Sequence, residues 1–600
     1  MKRLDRRTLA CIATVCGIYV VLATVIPNTY YQHVLTIVAI FAVLGLSWNI
    51  LGGYAGVVSF GHAAFFGIGA FTVTLLLSMW NVSPWLGIPA GVVLAALAAV
   101  LIGLPTLRLR GIHFALAMLA YPIVLRYVLD WLRYQEVMLP RKTQEAAWFM
   151  QFDDVRIYAL FAITLLFVAL CICHVIENSR FGLALLAIKQ NEQAAAASGI
   201  NVWNRKMVAT AISGAMAGAA GGLYVVVIRV AVPADVFGLH ISAQAMVVTL
   251  FGGVGTLWGP LLGAAFLIPL GDGLHAVLGH TIPGIQSIVY GGALILAIMI
   301  APEGLYWYAR DRIAAVRRGR VPSPQPERAA VAPAVAVVGA GAGVKRASRP
   351  PASKNPQLLV VSGLTKSFRG LKAVQDVSFV VPEGVVFGLI GQNGAGKTSV
   401  FNLLNGFIEA DHGRVTYDGK EIVSLTPNEI SRLGIGRTFQ VPRPFLRLSV
   451  LDNVVVGAIS TEPDDAAATA RAKQAIATVG LTRSLDALAS ELNAVELRLL
   501  ELARALAGSP RLVLLDEIFA GLAHEEIARL LVVIKRLPQE GVTVMIIEHT
   551  MHAMLKICDQ LVVLDHGVVI AAGLPMDVIN DPVVVEAYLG RKWMAEHATA

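Results

Sequence analysis

Charge is scarce in this sequence. Asp, Glu, Lys and Arg together make up 15% of the 600 residues, against 56% hydrophobic. A mean hydropathy of +0.67 is too apolar for an ordinary soluble enzyme of that length. Part of the chain therefore belongs in lipid, and membrane lipid is its first expected partner. Acidic residues are the scarcer sign, 40 against 48 basic. The basic excess does not mark a nucleic-acid binder, because Lys and Arg gather beside apolar spans and in a linker, not on one face interleaved with aromatics. Cysteine is nearly missing: Cys11, Cys16, Cys171, Cys173 and Cys558 lie in apolar runs or far apart. That excludes a secreted disulfide framework and a zinc site of usual spacing, and leaves reduced packing residues.

The N-terminus lacks the small-residue cleavage site of a signal peptide, so the run after MKRLDRR reads as an uncleaved first span over 8–27. Further runs long enough to cross a bilayer fall near 33–51, 57–79, 84–104, 112–130, 157–176 and 207–228, and again between 243 and 301. Eight to ten spans fit. Basic clusters at Lys2 to Arg7, Arg108 and Arg110, Arg180 to Lys206, and Arg310 to Arg320 mark cytoplasmic loops. Both ends of this half are then inside and the crossing number is even, so the Gly/Pro-broken segment 243–280 makes two passes or re-enters. Glycines at four-residue spacing, Gly214, Gly218 and Gly222, then Gly255, Gly259 and Gly263, predict close helix packing. His62 reads as a hydrogen-bonded packing histidine at membrane depth, and Arg126 with Asp130 as an i, i+4 pair near a span end.

From about 318 to 357 the chain turns to Pro, Ala, Gly and scattered basic residues that cannot bury enough apolar surface to fold. A tether is expected there. It would raise the effective concentration of the two halves into roughly the millimolar range. Beyond it, GQNGAGKT matches the phosphate-loop pattern at every fixed position. Gly391, Gln392, Asn393, Gly394, Ala395 and Gly396 would wrap backbone N–H groups around phosphate oxygens. Lys397 would neutralise them, and Thr398, followed by Ser399, would offer a hydroxyl to Mg²⁺. An apolar run precedes the loop and a helix-like run follows it, the strand-loop-helix order that phosphate binding needs. Strand candidates at 385–390, 511–515 and 542–547 between helical patterns predict an α/β nucleotide-binding domain. The 511–515 strand ends at Asp516 and Glu517, where Asp516 would hold the Mg²⁺ shell and Glu517 would polarise a water.

GYAGVVSFGHAAFFGIGA, LPTLRLRGIHFALAMLA, AIKQNEQAAAASGI and FGGVGTLWGPLLGAA make residues 30 to 305 similar to the permease subunits of branched-chain amino acid ABC importers. The C-terminal half resembles ABC ATPases, and GIGRTFQ with VVVEAYLG narrows this to the ATPases of the same importers. The resemblance implies that Phe368 stacks on adenine, that Gln440 of the Q-loop reaches the metal and the attacking water, and that His549 is the switch histidine. It implies ATP and Mg²⁺ as cofactors and a coupling helix within the 177–206 loop. A second permease, a second ATPase and an extracytoplasmic solute-binding protein follow as partners. The expected fold is an all-α polytopic membrane domain over 1–317, a linker over 318–357 and an α/β ABC ATPase domain over 358–600. The location is the bacterial cytoplasmic membrane with the ATPase in the cytoplasm.

Several departures bear on function. Where ABC ATPases carry LSGGQ this chain has Leu492-Asn493-Ala494-Val495-Glu496, losing the serine hydroxyl and the glycine approach to phosphate. Ile518 replaces the usual proline after Glu517, and Ala523 stands where the D-loop has Asp or Asn. The outer loop 131–156 lacks a Gly-rich stretch. Since this family sandwiches ATP between one domain's phosphate loop and the other's signature, two unequal ATP sites are expected. Two rival functions are an ABC exporter half-transporter, which would use about six long spans, and a non-transporting ATP-binding regulator, which the degraded signature would suit.

Overall fold

A computed structural model describes residues 6–109, 111–142, 145–278, 304–318, 357–549 and 551–589, with isolated positions between 285 and 299. Contacts divide the chain into two compact units, Met1–Lys189 with Trp203–Ala330, and Gln190–Val202 with Val331–Ala600. The tether expected over 318–357 lies outside the described residues apart from its two end positions.

The first unit is built from helices α1 (Arg6–Val25), α2 (Thr29–Asn49), α3 (His62–Trp80), α4 (Pro84–Thr106), α5 (Ile112–Trp131), α6 (Val155–Glu177), the start of α7 (Arg180–Gln190), α9 (Val202–Ile228), α10 (Pro233–Val236), α11 (Leu239–Gly252) and α12 (Gly259–Leu278). Nine helices among the described residues are long and apolar enough to span a bilayer, counting α10 with α11 as one. The broken 243–280 segment is two helices, α11 and α12, joined by Gly253 to Trp258. Local chemistry sets the ends. Asn28, Ser83 and Asp154 cap α2, α4 and α6 by accepting the N–H two residues on, each worth about 1 kcal/mol. A short antiparallel pair, β1 (Val137–Met138) with β2 (Val230–Ala231), ties the outer loop to the end of α9.

Small residues set how closely these helices approach. A methyl group added to Gly214 or Gly218 would stand 2.4 or 2.5 Å from the Cβ of Ala99 or Ala95, so α9 packs on α4 with almost nothing between the backbones. His62 is fully buried, with Nε2 2.9 Å from Ser213 Oγ and Nδ1 3.2 Å from Ser59 Oγ, a satisfied packing histidine. Arg126 and Asp130 form the expected pair at 3.8 Å.

The second unit holds the short helix α8 (Glu192–Ala197) and two sheets. β3 (Gln357–Phe368), β4 (Leu371–Pro382), β6 (His412–Tyr417) and β7 (Lys420–Glu421) form an antiparallel sheet in the order β4-β3-β6-β7. β5 (Val386–Gly391), β8 (Ile435–Arg437), β9 (Leu512–Asp516), β10 (Thr543–Ile547), β11 (Gln560–Asp565) and β12 (Val568–Gly573) form a sheet in the order β12-β11-β5-β10-β9-β8, parallel except for β12. Every residue of β5, β9 and β10 is buried, which is why they read as continuous apolar runs. The core joins both sheets through Phe379, Phe387, Leu389, Phe401, Leu514 and Met545.

Candidate nucleotide site

The parallel strands β5, β9 and β10 end on one edge, and each delivers a candidate residue there. β5 runs into the phosphate loop, β9 ends at Asp516 with Glu517 next, and β10 is followed by Glu548 and His549. The loop needs glycine at specific points. Gly396 sits at φ +98°, where a Cβ would lie 2.3 Å from Ala373 O, and Gly394 sits at φ +86°. Lys397 opens the following helix, Lys397–Leu404, and is buried. Its Nζ donates to Gly391 O at 2.7 Å and Gln392 O at 2.9 Å, closing the loop on itself. Burial pulls the Lys397 ammonium below its ordinary pKa, against the opposing pull of Glu517, Asp516 and Glu548.

A cavity of about 500 Å³ opens on this loop. Asn393, Gly394, Ala395, Gly396, Lys397, Thr398 and Ser399 line it together with Gln440 and Glu517. Gln440 Nε2 donates to Glu517 Oε2 at 2.7 Å, so the Q-loop amide and this carboxylate meet at the wall. Glu517 holds a left-handed φ of +45°, and its N–H donates to Ile547 O at 3.0 Å. Such a backbone conformation costs about 1–3 kcal/mol outside a functional setting. Asp516, the neighbour of Glu517, is buried and does not line the cavity. One of its oxygens accepts from Arg437 Nη2 at 3.2 Å, while Oδ1 is buried with no partner among the described residues. Burial pushes this carboxyl up and the Arg437 charge pulls it back down.

Other expected residues stand apart. Phe368 is 41% exposed and off the wall, while its cross-strand partner Leu371 lines the cavity with Lys372, Ala373 and Gln375. Gln392 turns away, its amide donating to Ala587 O. His549 is exposed beyond β10 and does not line the cavity. At the signature, Asn493 caps the helix Ala494–Ala507 by accepting from Glu496 N–H at 2.9 Å, and Glu496 Oε2 accepts from Asn493 N–H at 2.9 Å. Arg483 then pairs with Glu496 at 3.2 Å.

Sequence reasoning missed the residues that hold the site in place. Arg437 sits 5.2–6.0 Å from the ring centres of Phe401, Phe407 and Phe439, so a caged guanidinium orients Asp516. Arg498 donates to Gln440 O at 2.8 Å and Phe439 O at 3.2 Å, fixing the Q-loop from the signature helix. His566 joins the wall from the β11–β12 turn. The GIGRTFQ stretch put Arg437 in view, but only the fold shows which carboxylate it meets. The same unit contains the 190–202 segment. Ser460 Oγ donates to Ser198 O at 3.1 Å, Arg447 N–H to Gln190 Oε1 at 3.0 Å, Arg432 Nε to Gly199 O at 3.2 Å, and Arg443 to the side chain of Gln193.

The residues suit a nucleoside phosphate with a divalent cation. The nested loop and Lys397 can take phosphate, and the Asp516 carboxylate, with Oδ1 unpartnered among the described residues, the Thr398 hydroxyl and the Gln440 amide oxygen are donors of the kind a hard cation takes. Comparison with known proteins agrees in kind. The family "Branched-chain amino acid transport system / permease component" matches residues 30–301, and the family "ABC transporter" matches residues 374–520. A probable branched-chain amino acid transport ATP-binding protein, LivG, of Archaeoglobus fulgidus is 36% identical over 250 residues, 39% of this chain and 96% of the relative. The high-affinity branched-chain amino acid transport ATP-binding protein BraF of Pseudomonas aeruginosa is 38% identical over 249 residues, 39% of this chain and 98% of the relative. The lipopolysaccharide export system ATP-binding protein LptB of Acidithiobacillus ferridurans is 36% identical over 234 residues, 39% of this chain and 97% of the relative.

Proposed function

This chain belongs to the branched-chain amino acid ABC transporter family, with permease and ATP-binding parts in one polypeptide, and from that premise we propose that it drives import of a small polar solute of the branched-chain amino acid class. It is a membrane protein with a cytoplasmic ATPase that binds nucleotide and hydrolyses ATP. One observation carries the direction of transport. An export ATPase matches the C-terminal half as well as an amino acid one does, 36% in both cases, so that half is neutral. The permease match over 30–301 is to a branched-chain amino acid transport system, and the likeness of that half to importer permeases supports reading the direction as import. The proposed division is a permease over 1–317, a tether over 318–357 and an ATPase over 358–600. The proposed partners are a second permease, a second ATPase and an extracytoplasmic binding protein.

In the proposed reaction the loop Gly391 to Gly396 and Lys397 hold the phosphates, with Ser399 beside them. Thr398, Gln440 and Asp516 would hold Mg²⁺, which when bound neutralises charge on the transferred phosphoryl group. Arg437 fixes one Asp516 oxygen and leaves the other free for that role. Glu517 accepts a proton from the attacking water, positioned by its bond to Gln440. Phe368 and His549 would reach the nucleotide only after the hairpin that carries Phe368 and the residues that follow β10 move, because neither lines the cavity here.

Right-side-out membrane vesicles loaded with ATP, given radiolabelled leucine with the periplasmic fraction, test the reading. ATP-dependent accumulation inside supports import. Accumulation only in inside-out vesicles would make the protein an exporter, and ATP hydrolysis without movement in either orientation would leave a regulator.

A further inference from the structure

The membrane unit contains a break in helical geometry that the nucleotide chemistry does not use. α2 does not end at Asn49 but continues as one π-helical turn, Ile50–Tyr54, every residue of it buried. The chain then runs without helix to Gly61 before α3 begins. π turns in otherwise α-helical segments are rare and are frequent at functional sites.

Two ionisable side chains, from the two ends of the segment 177–189, hold this turn. Glu177, the last residue of α6, accepts from Tyr54 Oη at 2.7 Å and from the backbone N–H of Leu257. Lys189, near the end of α7, donates from Nζ to Gly53 O at 2.6 Å. On the far side, buried Asn49 donates to Thr256 O at 3.0 Å and accepts from Gly255 N–H at 2.8 Å. A Cβ on Gly53 would lie 2.9 Å from Gly255 N, so the turn and the α11–α12 loop are in backbone contact. Lys189 is also the last residue of this unit before Gln190–Val202, which belongs to the ATPase unit.

We propose that the π turn Ile50–Tyr54 is the hinge that couples the permease to nucleotide, and that Lys189 and Glu177 are the positioning residues that move it. A displacement of the 190–202 segment pulls on Lys189 through the chain itself, and Lys189 holds a carbonyl of the turn. Glu177 links the same turn to the 253–258 loop, so both helix breaks shift together. A π turn stores one residue of extra winding, so it can relax toward α geometry and rotate Ala55 to Gly61 without unfolding α2. The proposal rests on the reading of an ATP-driven transporter, and its test does not depend on which solute moves or in which direction.

Val58, 46% exposed in the segment after the turn, is changed to Cys in a chain with Cys11→Ser and Cys171→Ser. In inside-out native membrane vesicles its reaction with a hydrophilic maleimide is timed with and without MgATP plus orthovanadate. The labelling rate is expected to change by about fivefold or more. Lys189→Met, Glu177→Gln and the milder Tyr54→Phe should shrink that change to under about twofold, while azido-ATP still labels the ATPase half equally, and Lys189→Arg should restore it. An unchanged rate on adding nucleotide, or a full change surviving in Lys189→Met and Tyr54→Phe alike, would overturn the hinge. Failure of solute uptake alone would overturn only the transport reading.

Discussion

At Glu517 a single residue carries a strained backbone, a hydrogen bond to Gln440 and a place at the cavity wall. Glu517→Gln keeps an oxygen that can accept from Gln440 and removes the proposed base, so ATP binding should persist while hydrolysis falls by about a hundredfold or more. Filter binding of radiolabelled ATP beside phosphate release checks this, and undiminished release would mean that another group accepts the proton. Glu548 gives a pH-dependent outcome. Its Oε1 accepts from Phe519 N–H at 2.8 Å and its Oε2 is buried without a partner among the described residues. Burial raises its pKa from 4.5 to about 7. A carboxyl whose folded pKa is raised contributes stability that is fully present below 4.5 and is lost as pH climbs through about 7. Glu548→Gln stays neutral and escapes that loss. Its stability relative to the wild-type chain should therefore rise between those limits by up to about 3 kcal/mol, at about 1.4 kcal/mol per pH unit. Thermal unfolding at several pH values reads the gap, and a gap that stays flat with pH would show that Glu548 titrates normally.

At the scale of elements, what the sequence made legible is what repeats locally. Apolar runs such as 84–104 and 157–176 became α4 and α6 almost residue for residue, because in lipid a helix must satisfy its own backbone and little else competes. The fixed spacing of GQNGAGKT likewise announced a strand, a loop and a helix, since the glycines have no other use. Contacts between distant elements stayed hidden. Nothing in ILGGY distinguishes a π turn from an α turn, because the groups bonded to it and to the preceding Asn49, namely Glu177, Lys189 and the backbone of Gly255 and Thr256, come from distant parts of the chain. Nothing in GIGRTFQ says that Arg437 would be caged by three phenyl rings against Asp516. The signature helix was half legible. Its lost serine and glycines were plain, whereas the reciprocal cap of Asn493 and Glu496 and the pairing of Glu496 with Arg483 required the fold.

At the scale of the whole molecule, that cap predicts which ATP site of the proposed assembly works. In the proposed assembly each site joins one ATPase's phosphate loop to the other's signature, so this chain supplies an intact loop to one site and Asn493 to Glu496 to the other. A helix N-terminus attracts a phosphate because its first N–H groups are unpaired. Here the Glu496 N–H is taken by Asn493, and the Glu496 carboxylate, folded over the cap, puts an anion where a phosphate would approach. Arg483 neutralises part of that charge but also holds it in place, and Val495 adds bulk at a position the family leaves to glycine. The site using this signature should bind ATP through the partner's loop and turn over slowly, while the site using Lys397, Gln440 and Glu517 carries hydrolysis. Lys397→Ala should then lower ATP turnover of the assembled transporter by about tenfold or more, and the matching lysine change in the partner ATPase by only about twofold. Phosphate release from the two purified single-mutant complexes decides between the sites. Equal losses, or a larger loss from the partner's change, would mean that the capped turn serves phosphate as well as the sequence it replaces.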